Sequence, residues 1–204
     1  MGYGTIMKEK IALELSRLEK PGITLALASS NDYNKANMEL LRYLVNEKHE
    51  PGVYITLNRP YSTMEEILKE QDIDPRMIIF IDAITIPSGG SVSNSPHCLY
   101  LSDLMNLTDM ALIIDEAIAA IPNDKKFLFI DAMSTLLLYN NSGNVAKFIH
   151  FLSSKIRRWK LDGVFLSLET ESDKDFISQL SLFCDKTIKF DSEKVNVPSI
   201  SSQT

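Results

Sequence analysis

Cysteine is scarce in this chain of 204 residues, which contains only Cys98 and Cys184. Two cysteines are too few for the disulfide framework of small secreted domains, and a reducing cytoplasm is the simplest location. No apolar run approaches the length of about 20 residues that crosses a bilayer. The opening residues MGYGTIMKEK also lack the apolar core of a signal peptide. The sequence therefore predicts a cytoplasmic protein without a membrane anchor.

Positive charge is also in short supply. The chain has 21 Lys and Arg against 27 Asp and Glu, a formal net charge of −6. Attraction to the nucleic-acid backbone grows with the number of phosphates that Lys and Arg neutralise, so nucleic acid is a poor candidate partner. With 45% apolar residues, the chain can build one sizeable core. We expect a single domain over residues 1–194 and a flexible, Ser-rich tail over 195–204.

Short apolar runs alternate with amphipathic stretches, which is typical of βα units around a mostly parallel sheet. The runs are nearly unbroken in hydrophobicity, so helices should cover both faces of the sheet. The predicted strands cover residues 23–28, 53–57, 77–81, 126–130, 164–168 and 187–190.

Helical periodicity and helix-start signals supply the intervening elements. Residues 36–48, 108–121 and 144–160 are predicted helices, and residues 6–18 form a weaker one. A further helix is indicated by the capping-box spacing from Ser62 to Glu65. Residues 87–101 show no periodicity and predict a long loop of functional or mobile type. Together these elements predict an α/β protein with three layers.

The segment between the first strand and the next helix has the context of a phosphate-binding loop. That motif, G-x-x-x-x-G-K-[ST], wraps phosphates with backbone N–H groups, neutralises them with Lys and holds magnesium with its hydroxyl. Here the frame reads Ser29-Ser30-Asn31-Asp32-Tyr33-Asn34-Lys35-Ala36, and only Lys35 matches.

The substitutions in this frame weaken magnesium and triphosphate binding. Asn34 can adopt the left-handed geometry of the missing glycine, whereas Ser29 is a poorer replacement. Ala36 has no hydroxyl for magnesium, and Asp32 brings negative charge against a triphosphate. We predict a vestigial or weak anion site formed by Ser29, Ser30, Asn34, Lys35 and Ala36. The alternative is that Lys35 is an ordinary surface lysine.

Residues 126–137, KFLFIDAMSTLL, together with LTD at 107–109 and residues 176–190, resemble the RecA/KaiC-like ATPases. The likeness covers residues 11–190 and is greatest to the short single-domain KaiC-like proteins common in archaea. It implies the three-layer RecA-like fold of P-loop NTPases, with a mostly parallel central sheet flanked by helices. It also implies that Asp131 occupies the Walker B position, which acts on magnesium. In the simpler interpretation, Asp131 is an aspartate at a strand end that bonds to the next turn.

The chain departs from the family where the second strand usually ends in an acidic pair that activates water. Asn58 and Arg59 stand there, and neither a neutral amide nor a cation serves as a general base. The favoured hypothesis is a KaiC-like pseudo-ATPase without a required cofactor, which regulates or signals through a protein partner or as a homo-oligomer. One alternative is a slow or partner-completed ATPase that binds ATP with weak magnesium, held by Asp131. Another is a recombinase-paralogue module that binds nucleic acid, which the net charge disfavours.

Two smaller groups of residues remain. The pair His97-Cys98 has no second pair at metal-binding spacing, so no metal site is predicted there. Lys155, Arg157, Arg158 and Lys160 form a basic cluster near the end of a helix, where they favour the helix dipole. A contact with a neighbouring subunit or an acidic partner is the alternative, because Trp159 lies among these charges.

Overall fold

The computed structural model describes residues 7, 11, 13, 14, 21–170 and 174–191. The elements of residues 21–191 follow in chain order: β1 Ile23–Ala28, α1 Tyr33–Arg42, β2 Gly52–Thr56, α2 Tyr61–Glu70, β3 Ile78–Asp82, β4 Cys98–Tyr100, α3 Leu107–Ala120, β5 Phe127–Asp131, α4 Leu136–Tyr139, α5 Ser142–Trp159, β6 Asp162–Leu168, α6 Lys174–Ser181 and β7 Lys186–Phe190. A π-helical turn, Tyr43–Glu47, extends α1, and 3-10 turns occupy Pro75–Met77 and Met133–Thr135.

All seven strands form one parallel sheet in the order β4-β3-β2-β5-β6-β1-β7. Strand β2 pairs with both β3 and β5, and Thr56 at its end is level with Asp82 and Asp131. Because the carboxyl ends of parallel strands meet at one edge, the segments that follow β1, β2, β3 and β5 lie at the same edge, with β6 between β1 and β5. The candidate site residues are therefore gathered at this edge.

Two apolar cores lie on opposite faces of the sheet. Buried side chains of α3, α5 and α6 pack on one face, and those of α1 and α2 pack on the other. Alternate side chains of β1 pack into the two cores: Leu25 and Leu27 lie in the first, and Ala26 and Ala28 lie in the second. This three-layer arrangement confirms the predicted fold class.

The predicted strands are confirmed to within one or two residues at each end. The prediction for 87–101 was wrong in part, because β4 lies in that segment and pairs with β3. Three residues with one hydrogen-bonded neighbour strand give too short a pattern to recognise. Of the predicted helix 6–18, the four described residues are helical, while the rest lies outside the described residues, as does the tail 195–204.

Two helix starts also differ from the prediction. Helix α1 begins at Tyr33, ahead of residue 36, and α2 begins at Tyr61 with Pro60 at its N-cap. The Ser62 capping box is thus wrong, since Ser62 already lies inside the helix. Pro60 has φ −57° and ψ 149°, and its ring restricts φ. Its side chain has no oxygen that could accept a hydrogen bond from the first turn of α2.

Gly52 opens β2 at a close approach to the adjacent strand. A Cβ atom at this position would come within 2.4 Å of the ring of Phe127 on the adjacent strand β5. The missing side chain of Gly52 therefore makes room for an aromatic ring that is itself fully buried.

Candidate functional site

A tight turn connects β1 to α1. The backbone N–H of Asp32 donates to the carbonyl of Ser29 over 3.1 Å, and that of Ala36 donates to the carbonyl of Asp32 over 2.8 Å. The Ser29 hydroxyl also donates to the Asp32 carboxylate, 2.8 Å away. These bonds start the helix two residues before Lys35, so residues 29–32 fold against each other.

The side chain of Tyr33 connects this turn to Asp131 at the end of β5. Its hydroxyl donates to Oδ1 of Asp131 over 2.5 Å. The other carboxylate oxygen accepts from the hydroxyl of Tyr54, in the middle of β2, over 2.7 Å. The Tyr54 hydroxyl in turn accepts from the amide of Asn37 over 2.9 Å. Both oxygens of Asp131, which is only 2% exposed, are therefore engaged by tyrosine hydroxyls.

The electrostatics of this network follow from its burial. Burial raises the pKa of Asp131, while the hydrogen bonds from Tyr33 and Tyr54 and the charge of Arg59 act in the opposite direction. Burial, reinforced by the Asp131 charge, raises the pKa of both tyrosines. The phenols are thus held in their protonated form, in which they donate to the carboxylate.

Ala132 gives the chain a sharp change of direction after Asp131. Its φ of 67° lies in the left-handed region, which costs a non-glycine residue about 1–2 kcal/mol. The 3-10 turn Met133–Thr135 follows directly, and the backbone N–H of Thr135 donates to the carbonyl of Ala132 over 2.8 Å. The surrounding bonds stabilise this turn against its strain.

Asn58 and Arg59 link neighbouring segments. A guanidinium nitrogen of Arg59 donates to the side-chain oxygen of Asn34 over 2.5 Å. The side-chain oxygen of Asn58 accepts from the hydroxyl of Thr135 over 2.6 Å. The segment after β2 is therefore tied to the first turn of α1 on one side and to the turn after β5 on the other.

Asp82 at the end of β3 has a different set of partners. Its carboxylate accepts from the backbone N–H groups of Tyr61, Ile84 and Thr85 over 2.7, 2.9 and 2.8 Å. The hydroxyl of Thr85 donates to it as well, over 2.6 Å. Asp82 thereby caps α2 from another strand and stabilises its own turn, which makes it a structural residue.

The remaining frame residues differ in exposure. Ser30 and Asn34 are exposed, Ser29 and Lys35 are half-buried, and Ala36 is fully buried in the core beneath α1. A cavity of about 420 Å³ opens beside Ser29, between the ends of β6 and β7 and α6. Its polar lining includes Glu169, Lys174 and Lys189. The sheet edge thus brings together the turn, Asp131 and a polar cavity.

Sequence reasoning did not find the tyrosine network as such. The available signal was Tyr54, a polar aromatic residue in a strand predicted to be buried on both faces, because a buried tyrosine hydroxyl usually requires a partner. Asn37, on the inner side of α1, was a second signal of the same kind.

Two other kinds of feature, a metal-binding cluster and a membrane-crossing helix, are absent from the described residues. Residues 21–170 and 174–191, with the four near the N-terminus, hold no group of three or more His, Cys, Asp or Glu side chains arranged for a metal ion. Over the same residues, no helix combines the length and the apolarity that a bilayer crossing demands.

Comparison with known proteins points to one fold. No protein-family model matches the chain, and no curated protein does so either. Among solved structures, a KaiC-like protein from the hyperthermophilic archaeon Pyrococcus horikoshii is similar, with a TM-score of 0.61 and 10% identity, over 87% of this chain and 75% of that one. An uncharacterized protein of the same archaeon, in complex with an unknown peptide, has a TM-score of 0.61 and 14% identity, over 89% and 82% of the two chains. The chain has the RecA-type fold of KaiC-like proteins, as the resemblance in its sequence implied.

Proposed function

We propose that this chain is a KaiC-like pseudo-ATPase, which acts through protein contacts and does not turn over nucleotide. The observation that carries the proposal is the environment of Asp131. Its two carboxylate oxygens accept hydrogen bonds from Tyr33 and Tyr54, and Tyr33 belongs to the segment that would wrap a triphosphate. In this arrangement the carboxylate stabilises the folded chain through hydrogen bonds to two buried side chains.

The residues of the frame do not fit a magnesium nucleotide, on the same reasoning. Ala36 offers no hydroxyl and faces the core, and the Asp32 carboxylate points back to Ser29 inside the turn. Asn58 and Arg59 offer no base to an attacking water, because one is neutral and the other is a cation. Three parts that phosphoryl transfer needs, namely the metal ligands, the phosphate cradle and the base, are therefore weakened together.

Titration calorimetry with ATP and magnesium, combined with a phosphate-release assay, tests the proposal. We expect no magnesium-dependent binding and no turnover by the wild-type chain. Wild-type turnover that Lys35→Ala and Asp131→Ala both abolish would overturn the pseudo-ATPase assignment.

A slow or partner-completed ATPase is the second candidate, and the polar cavity beside Ser29 favours it. That cavity has space for part of a nucleotide, and its lining holds the cationic Lys174 and Lys189 together with the acidic Glu169 and Asp191. Lys189 pairs with Glu169, so a nucleotide would have to displace that carboxylate to use this lysine. This candidate requires Tyr33 to leave Asp131 when nucleotide binds. A complex with a non-hydrolysable ATP analogue distinguishes the two, since retention of the Tyr33–Asp131 bond at saturating analogue contradicts the ATPase.

A protein-contact role also has a counterpart among proteins of this fold, because one of the two archaeal neighbours was solved with a peptide. For the present chain, the proposed contact is either with further copies of the same chain in a homo-oligomer or with a different protein. A cytoplasmic location is part of the same proposal.

A further inference from the structure

A groove of about 540 Å³ runs between α3 and α5 on the outer surface of one helix layer. Three large apolar side chains line it while remaining open to solvent: Met105, Leu112 and Phe151 are 66%, 62% and 49% exposed. Apolar side chains clustered in an open groove are typical of a contact surface rather than of a solvated helix layer.

The two helices that form the groove carry charges of opposite sign. Helix α3 contains the acidic residues Asp109, Asp115 and Glu116 and no lysine or arginine. Asp109, Leu112 and Glu116 follow the spacing i, i+3, i+7, which places them on one stripe of the helix. The outer surface of α3 beside the groove, here called the α3 wall, is therefore an exposed leucine of the groove lining between two carboxylates that lie outside that lining.

Helix α5 mirrors this pattern with the opposite charge. It contains Lys147, Lys155 and two arginines and no acidic residue. Lys147, Phe151 and Arg158 follow the spacing i, i+4, i+11, again one stripe of a helix with about 3.6 residues per turn. The outer surface of α5 beside the groove, here called the α5 wall, is thus an exposed phenylalanine between two cations, of which Lys147 lines the groove and Arg158 lies outside its lining.

We infer that a second copy of this chain docks into the groove about a two-fold axis parallel to it. Both α3 and α5 run from the carboxyl edge of the parallel sheet to its amino edge, so they are parallel to each other. This axis lays the acidic α3 of each copy over the basic α5 of the other. A two-fold axis across the groove would instead place like charges together. Charge complementarity thus selects one symmetric, self-complementary dimer.

The register of the two walls agrees with this dimer. The Lys155 ammonium bonds Asp115 within the chain, at 2.6 Å from Oδ1, which sets the two helices level at that point. At a rise of about 1.5 Å per residue, Glu116 and Arg158 lie on the same side of that level and about 3 Å apart along the groove. Asp109 and Lys147 lie on the other side with the same offset of about 3 Å. Leu112 and Phe151 meet between the two charge pairs.

The dimer does not depend on the state of the nucleotide frame, and it gives the basic cluster near the end of α5 a second role. Lys155 is engaged by Asp115, and Arg157 pairs with Asp185 over 2.9 Å. Arg158 remains exposed, and in the proposed dimer it faces the second copy.

Sedimentation velocity over a concentration series, combined with charge reversal, tests the inference. We expect the wild-type chain to dimerise, and Asp109→Lys with Glu116→Lys to weaken the dimer at least about tenfold. Lys147→Glu with Arg158→Glu should weaken it by a similar factor. An equimolar mixture of the two double variants should dimerise again, because each wall then meets a wall of opposite sign.

Glu66→Lys with Glu70→Lys is the matched control, since it makes the same charge change on exposed positions of α2, on the other side of the sheet. It should leave dimerisation unchanged. Leu112→Ser should also weaken the dimer while the circular dichroism spectrum stays that of the wild type. A wild-type monomer at the highest concentration reached overturns the inference, as does a mixture of the two reversed variants that stays monomeric.

Discussion

Replacing Tyr33 with phenylalanine measures the contribution of the Tyr33–Asp131 bond. The substitution keeps the ring and removes only the hydroxyl that donates to Asp131 Oδ1 over 2.5 Å. Hydrogen bonds to charged groups contribute about 1.5–3 kcal/mol, and a buried carboxylate oxygen left without its donor costs a similar amount. We therefore expect Tyr33→Phe to lower the free energy of unfolding by about 1.5–3 kcal/mol.

The assay is urea unfolding followed by the fluorescence of Trp159, the only tryptophan. Tyr139→Phe is the matched control, because its side chain is 41% exposed, and a change of less than about 0.5 kcal/mol is expected there. The midpoint should move while the slope of the transition stays constant. A Tyr33→Phe variant as stable as Tyr139→Phe would refute the role assigned to the bond.

The pH dependence of the same variant gives an independent check. Burial raises the pKa of Asp131, and the Tyr33 bond acts against that rise. Without this donor the folded-state pKa rises further, so the variant loses stability as pH increases from the unfolded value of about 3.9 through the folded pKa. The stability difference from the wild type should therefore grow with pH across this window. A difference that is constant with pH would show that the hydroxyl does not act on the carboxylate.

Three further predictions concern the sheet and its edge. Asp82→Ala should cost about 2–5 kcal/mol in the free energy of unfolding, since it leaves several buried backbone N–H groups without an acceptor; a loss below 1 kcal/mol, roughly the worth of one neutral hydrogen bond, would contradict its capping role. Gly52→Ala should cost at least about 1–3 kcal/mol, because its Cβ would overlap the Phe127 ring, whereas Gly143→Ala in α5 should stabilise by about 0.4–1 kcal/mol; equal urea midpoints for these two variants would refute the steric reason. Asp131→Asn removes the carboxyl group whose pKa is raised. In thermal unfolding from acid to neutral pH, the variant should therefore gain stability relative to the wild type as pH rises. A relative gain on acidification would contradict the direction of the pKa shift.

The strands and most helices could be predicted because they follow from hydrophobic periodicity, which is local. The side-chain partners at the sheet edge are not local. The strand ends at 81–85 and 130–134 look alike in sequence, yet Asp82 bonds backbone N–H groups and Asp131 bonds tyrosines. What differs is whether the facing strand and turn offer a phenol, and for Asp131 those donors are 98 and 77 residues away. Contacts between residues so far apart in sequence cannot be read from the local pattern of either segment.

The hydrogen bonds and the charge around Asp131 also explain how its carboxylate can stay buried at the end of β5. An ionised group costs several kcal/mol when buried unless hydrogen bonds and opposite charge compensate it. Tyr33 and Tyr54 supply the hydrogen bonds, and Arg59 supplies the charge while it also holds Asn34. A ligand that binds the Asp131 carboxylate would have to displace the Tyr33 hydroxyl. This displacement would loosen the first turn of α1, which contains Tyr33. The hydrogen bonds among Tyr33, Tyr54, Asp131 and Arg59 with its partner Asn34 therefore stabilise this edge of the sheet together. Single substitutions among these residues should lower the free energy of unfolding without creating a nucleotide site.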